Sequence, residues 1–174
     1  LALLLQQGDY EGAKAYLSTL TKTIAANTTI MNTHNPLLDA LLSKKYEEAS
    51  RKGVMVYFDL PDLRDMPMGQ TDLVIVLSNL LNNAIEAAAQ ADPPEVYVRM
   101  RKSEDEVVLS VRNRVKKDLN LADGQLPRIS QKGAGHGFGL WNVRDVLKKY
   151  GGEYTISCRG CWFRFTCTIP LRKL

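Results

Sequence analysis

Asn79, Asn82 and Asn83, with Glu86 and Gln90 beyond them, form a polar stripe on a segment that is otherwise apolar almost all round. The pattern predicts a helix over about residues 72–90, and residues four apart on a helix lie one above the other. Asn79 and Asn83 therefore share a face. Asparagine is a poor choice for a merely solvated helix, because its amide competes for nearby backbone groups and costs roughly 0.5 kcal/mol relative to alanine. Stacked neutral amide oxygens suit a hard cation that also holds phosphate oxygens. Taken alone, the same residues could simply cap or bridge other elements.

A second segment adds to the first. Gly135, Gly137 and Gly139 alternate with His136, Phe138 and Leu140 just before an amphipathic stretch, Leu140–Tyr150, that predicts a helix. Bare amides ahead of a helix N-terminus can approach phosphates, with the helix dipole favouring negative charge. A plain hinge is the alternative for these glycines. The spacing is not that of a dinucleotide-binding fingerprint, and no phosphate-loop lysine motif occurs. Jointly the two segments predict a magnesium–nucleotide site.

The elements that must position these residues can be read from periodicity. Asp9 is a plausible cap for a first helix with a stripe of Ala13, Tyr16, Leu17, Leu20 and Ile24. Asn35 and Pro36 open a second helix whose seam is Leu37, Leu38, Leu41, Leu42, Tyr46 and Ala49, stopped by Gly53. Such a hairpin cannot bury both stripes well, which favours a four-helix bundle with a second copy; packing onto the following domain is the competing arrangement. Val54–Phe58, Glu95–Arg101, Val107–Arg112, Glu153–Cys158 and Cys161–Ile169 read as strands. Residues 113–134 read as a long irregular segment of lid length. The expected fold is α+β: a two-layer sandwich of a mixed sheet with helices on one face, preceded by a helical hairpin. The expected domains are residues 1–52 and 53–174.

Composition narrows the classes. A 45% hydrophobic content supports a core, and the net charge of +4 comes from basic residues dispersed along the chain, which disfavours nucleic acid. No apolar run is long enough for a membrane span. The opening Leu1–Leu5 run lacks a cationic lead-in, so it is not read as a signal peptide, and the chain reads as a piece of something longer. Cys158, Cys161 and Cys167 fit a reducing compartment, with Cys161 and Cys167 expected to point into the core.

The run from Asn79 to Ala87 resembles the N box of the GHKL ATPase/kinase superfamily, and Gly135–Leu140 resembles its second glycine box, in the same order and with a lid-length segment between. Within the superfamily the chain looks most like the catalytic half of a sensor histidine kinase. The wording around Lys132–Val143 and the Asn35–Lys44 helix is similar to the peptide-pheromone, quorum-sensing receptor branch. The resemblance implies ATP and Mg2+ as ligands, with Asn83 the principal metal ligand and Asn79 supporting it. It implies that Asn82, Asn113, Lys132, Gly135, His136, Gly137, Phe138, Gly139 and Leu140 contribute to the ATP site. Asn113 falls where most relatives place an aspartate that accepts from adenine's amine; an amide accepts the same bond without charge assistance.

Arg128 is a lesser lid candidate. His34 sits at a turn with no acidic residue after it and reads as exposed, so the phosphoacceptor histidine is expected outside the chain, just before Leu1. The ATP-hydrolysing members carry a glutamate four residues before the magnesium asparagine; here that position is Asn79, which cannot act as a base, so phosphotransfer fits better than hydrolysis. The implied function is transfer of the ATP γ-phosphoryl to a dimerisation-helix histidine and onward to a response regulator aspartate. A homodimer through the hairpin and a cytoplasmic location are implied with it. The alternative is a degenerate, non-catalytic dimerisation and docking module of the same fold.

Overall fold

Alternating apolar and polar residues build the sheet. In the computed structural model, which describes residues 32–119 and 139–171, the strands are β1 (Met55–Asp59), β2 (Glu95–Lys102), β3 (Glu106–Arg114), β4 (Glu153–Arg159) and β5 (Trp162–Pro170). They form a five-stranded sheet in the order β1-β2-β3-β5-β4. β1 runs parallel to β2, and the other neighbours pair antiparallel, so the sheet is mixed as expected. Side chains alternate between faces along each strand, so Val96, Val98 and Met100, Val107, Leu109 and Val111, and Phe165, Cys167 and Ile169 are all buried on one side.

Helices cover that side. They are α1 (Pro36–Arg51), α2 (Gln70–Ala88) and α3 (Gly139–Lys149). α2 buries Leu73, Val76, Leu77, Leu80, Leu81, Ala84, Ile85 and Ala88, and α3 buries Val143 and Leu147. The result is the expected α+β sandwich, with one sheet face dry and the other open.

Contacts divide the chain into Leu1–Asn32 and Thr33–Leu174. The expected first helix lies outside the described residues. α1 belongs to the second unit, where it packs on α2 and β1. Its start is capped as the sequence predicts: the Asn35 side chain accepts from the Leu38 N–H at 3.3 Å, and proline occupies the first turn. Its end is a Schellman motif, with the Val54 N–H bonded to the Ala49 carbonyl at 2.9 Å and the Gly53 N–H to that of Ser50 at 3.0 Å.

The seam of α1 differs from expectation. Leu38, Leu42, Lys45 and Ala49 are buried, whereas Leu37 is 49% exposed and Tyr46 only half-buried. Lys45 lies on the dry face by laying its aliphatic stem along it while its ammonium bonds Glu48 at 2.6 Å. Hydropathy alone favours Tyr46 over Lys45, and this is why the sequence stripe was rotated.

The β4–β5 hairpin corrects a second expectation. Cys161 does not point inward from a strand; it occupies the turn with Gly160, both at positive φ (58° and 59°). Two consecutive left-handed residues are the geometry of a tight hairpin whose twist matches its strands. β5 begins one residue later, and only Cys167 is a core thiol, its pKa pushed up to about 12 by burial.

The two seams make opposite demands. Leu42→Ala is expected to lower unfolding free energy by about 2–5 kcal/mol in urea titrations. Leu37→Ala should stay within about 0.5 kcal/mol.

Candidate functional site

The start of α3 meets the polar stripe in the middle of α2. A Cβ placed on Gly139, the first residue of α3, would lie 3.0 Å from Asn79 Oδ1 and 3.2 Å from Asn83 Nδ2. A larger residue at the start of α3 would press on the two stacked amides, so glycine suits this close approach. The Asn79 amide nitrogen donates to the Ile75 carbonyl at 2.8 Å, one turn back along α2. That bond commits the nitrogen and turns Oδ1 toward α3. Asn83, one turn further on, is exposed. The Asn79 oxygen, the Asn83 amide and a helix N-terminus therefore converge, and amide oxygens beside a helix start are groups suited to a hard cation and its phosphate oxygens.

Beside this point a cavity of about 150 Å³ opens between α2 and the sheet. Its walls are apolar: Leu80, Ala84 and Ala87 from α2, Val111 from β3, Phe163 and Phe165 from β5, with Leu140 of α3 at one end. Asn83 and Asn113 are its polar side chains. Asn113 is 2% exposed, lies inside β3 rather than at its end, and pairs with Val96 and Phe163. Its amide nitrogen donates to the Arg114 carbonyl at 2.8 Å. Only the nitrogen can serve a carbonyl, so Oδ1 is left as the acceptor. A largely apolar cavity with the Asn113 acceptor in its wall suits a heterocycle carrying an amino group.

Of the residues singled out on sequence, the structure brings Asn79, Asn83, Asn113, Gly139 and Leu140 together. Asn82 and Glu86 are exposed and do not line the cavity. Lys132, Gly135, His136, Gly137 and Phe138, and Arg128 with them, lie outside the described residues. The apolar walls were not singled out. Their signal was present: Ala84 and Ala87 place small side chains beside Asn83, and Val111 and Asn113 share one face of β3, with Val115 just beyond its end.

Further contacts hold the frame. Asp72, in the first turn of α2, accepts from Lys149 Nζ at 2.6 Å and from Tyr150 Oη at 2.6 Å, at the end of α3. The Gly69 N–H in turn donates to Tyr150 Oη at 3.1 Å. Just beyond β3, the Asp118 carboxylate accepts from the N–H groups of Gly160 and Cys161 at 3.1 and 2.6 Å. The next residue, Leu119, lines the cavity, so the β4–β5 turn anchors the chain where it leaves the site.

A family model described as the GHKL domain matches residues 68–170. The sensor protein CitS of Bacillus subtilis (strain 168) is 29% identical over 155 residues, covering 82% of this chain and 27% of CitS. The sensor protein PhoQ of Escherichia coli O157:H7 is 29% identical over 125 residues, covering 68% of this chain and 24% of PhoQ. The chain thus spans about a quarter of the length of the curated relatives it matches. Among solved structures, a nucleotide-free form of the catalytic domain of histidine kinase ThkA has a TM-score of 0.61 at 25% identity, over 76% of this chain and 91% of that one. Full-length ShkA in complex with AMPPNP shares the fold, with a TM-score of 0.62 at 17% identity over 92% of this chain and 36% of that one.

The Asp72 contacts carry a pH signature. Hydrogen bonds from Lys149 and then Tyr150 hold the Asp72 carboxyl below its ordinary value of 3.8. A depressed carboxyl stabilises the fold above its ordinary pKa, and the benefit is lost as pH falls through the lowered value. Asp72→Asn should therefore melt below wild type at about pH 7, and the gap should close as pH drops below about 4.

Proposed function

The chain belongs to the GHKL domain family, and from that premise we propose that it is the ATP-binding catalytic portion of a two-component sensor histidine kinase. The observation that carries the reading is the convergence of Asn79, Asn83 and Gly139 beside the apolar cavity over Asn113. The relatives it matches are sensor proteins, and the ThkA domain is a histidine kinase catalytic domain.

In this reading the cavity takes adenine. Asn113 Oδ1 accepts from the exocyclic amine, while Phe163, Phe165 and Leu80 exclude water from the ring. Asn83 and Asn79 would hold Mg2+ through their amide oxygens, with the start of α3 toward the phosphates. The ion would supply charge neutralisation for an in-line transfer, a reaction that depends on positioning and electrostatics more than on a strong base. The absence of a carboxylate at position 79 supports transfer to a protein histidine over hydrolysis. His34 is not proposed as the phosphoacceptor: it is exposed, at φ 59° ahead of α1, with Nδ1 3.4 Å from Asp62.

The whole protein is proposed to act as a homodimer through its helical hairpin, residues 1–52, with residues 53–174 as the catalytic domain. It would pass the phosphoryl to a response regulator and work on the cytoplasmic side of a membrane sensor. The pheromone-receptor branch is the proposed subgroup, resting on the wording near Lys132–Val143. Among the described residues no helix is long and apolar enough to cross a membrane.

Calorimetric titration tests the reading. The chain is expected to bind ATP in the presence of magnesium, and Asn83→Ala and Gly139→Ala should each remove the metal-dependent part. Absence of any nucleotide binding would leave the docking module as the surviving reading. An acceptor in the cavity wall should prefer adenine over guanine, whose carbonyl would face Asn113 Oδ1, and Asn113→Ala should narrow that preference by about tenfold. Incubated alone with radiolabelled ATP, the chain should acquire no acid-labile phosphate; labelling would place an acceptor within it.

A further inference from the structure

The open face of the sheet carries residues that the nucleotide reading does not use. Arg112 of β3 and Arg164 of β5 sit directly opposite each other in the antiparallel register. Like charges placed so are destabilising unless something neutralises them. Among the described residues no carboxylate lies within ion-pair distance of either. The nearby acids are already engaged: Asp59 by Arg99 and Arg101, and Glu95 by Arg114. The Arg112 guanidinium lies 3.7 Å from the Trp162 ring centre and 5.6 Å from that of Tyr97, and its buried Nε has no hydrogen-bond partner. Packing against aromatic rings thus fixes a cation in place with donor capacity to spare.

The two arginines line a groove of about 700 Å³, with Tyr57, Tyr97, Ser110 and Thr166 among its other walls. Tyr57 and Tyr97 are 45% and 38% exposed, so an apolar margin adjoins the charges. We propose that this groove docks an acidic segment of a partner protein, whose aspartate or glutamate carboxylates are bound by Arg112 and Arg164.

The alternatives fit less well. A nucleic acid would need free aromatic faces for its bases, but Tyr57 and Tyr97 are stacked on each other at 4.7 Å, and Trp162 is covered by both Arg112 and Arg114. A second copy of this chain docking through the same face would bring arginine against arginine.

Fluorescence anisotropy of a labelled glutamate-rich peptide on the whole chain tests the proposal, independently of nucleotide binding. The peptide should bind, and more weakly as salt rises. The exposed Arg164→Gln should weaken binding about fivefold, and Lys148→Gln, the same charge change on α3, should leave it within about twofold. Circular dichroism melts of both variants confirm folding. The proposal is overturned if the peptide does not bind, or if Lys148→Gln weakens it as much as Arg164→Gln. It is equally overturned if an oligothymidylate or vesicles containing phosphatidylserine bind more tightly than the peptide.

Discussion

The site depends on one close approach, that of the α3 backbone to two amides on α2. Helices of ordinary side-chain composition keep their axes 8–10 Å apart. Here the first residue of α3 carries no side chain, and a Cβ there would lie 3.0 Å from Asn79 Oδ1 and 3.2 Å from Asn83 Nδ2. Everything polar about the site follows. The Asn79 nitrogen is tied back to its own helix, its oxygen is turned outward, and the start of α3 lies against it. At the other end of the helix pair, Asp72 fixes Tyr150 and Lys149. The approach is thus held from both sides rather than resting on the glycine alone.

The sheet separates two kinds of chemistry with a single rule. Period-two alternation sends Val111 and Asn113 inward to the cavity and Arg112 and Arg114 outward to the open face. Neighbouring residues of β3 therefore serve opposite sides of a layer only one chain thick. The inner side is apolar with isolated acceptors, and the outer side is cationic with packed aromatic rings.

Much of this was legible in the sequence, because local spacing encodes it. The strands, the Asn35 cap, the glycine at the end of α1 and the Asn79–Asn83 pair all rest on contacts within a few residues. Asn113 was legible only through its resemblance to a family position, since one asparagine in a strand has no spacing of its own. What escaped was non-local or atypical. Lys45 took a core position because a long stem can bury while its charge reaches Glu48. Cys161 left its strand because the turn needed a second left-handed residue. The arginine–aromatic cluster was invisible because Tyr57, Tyr97, Arg112 and Trp162 come from separate strands and meet only through sheet register.

The two tryptophans of the chain fall on different layers. Trp141 stands in the first turn of α3 with the Arg144 guanidinium 4.4 Å from its ring centre, and Trp162 stands on the opposite side of the sheet beneath Arg112. Each indole thus samples the electric field of one layer. The protein carries a native optical reporter for each of its surfaces, and the emission of single-tryptophan variants would tell events at one from events at the other without an added dye.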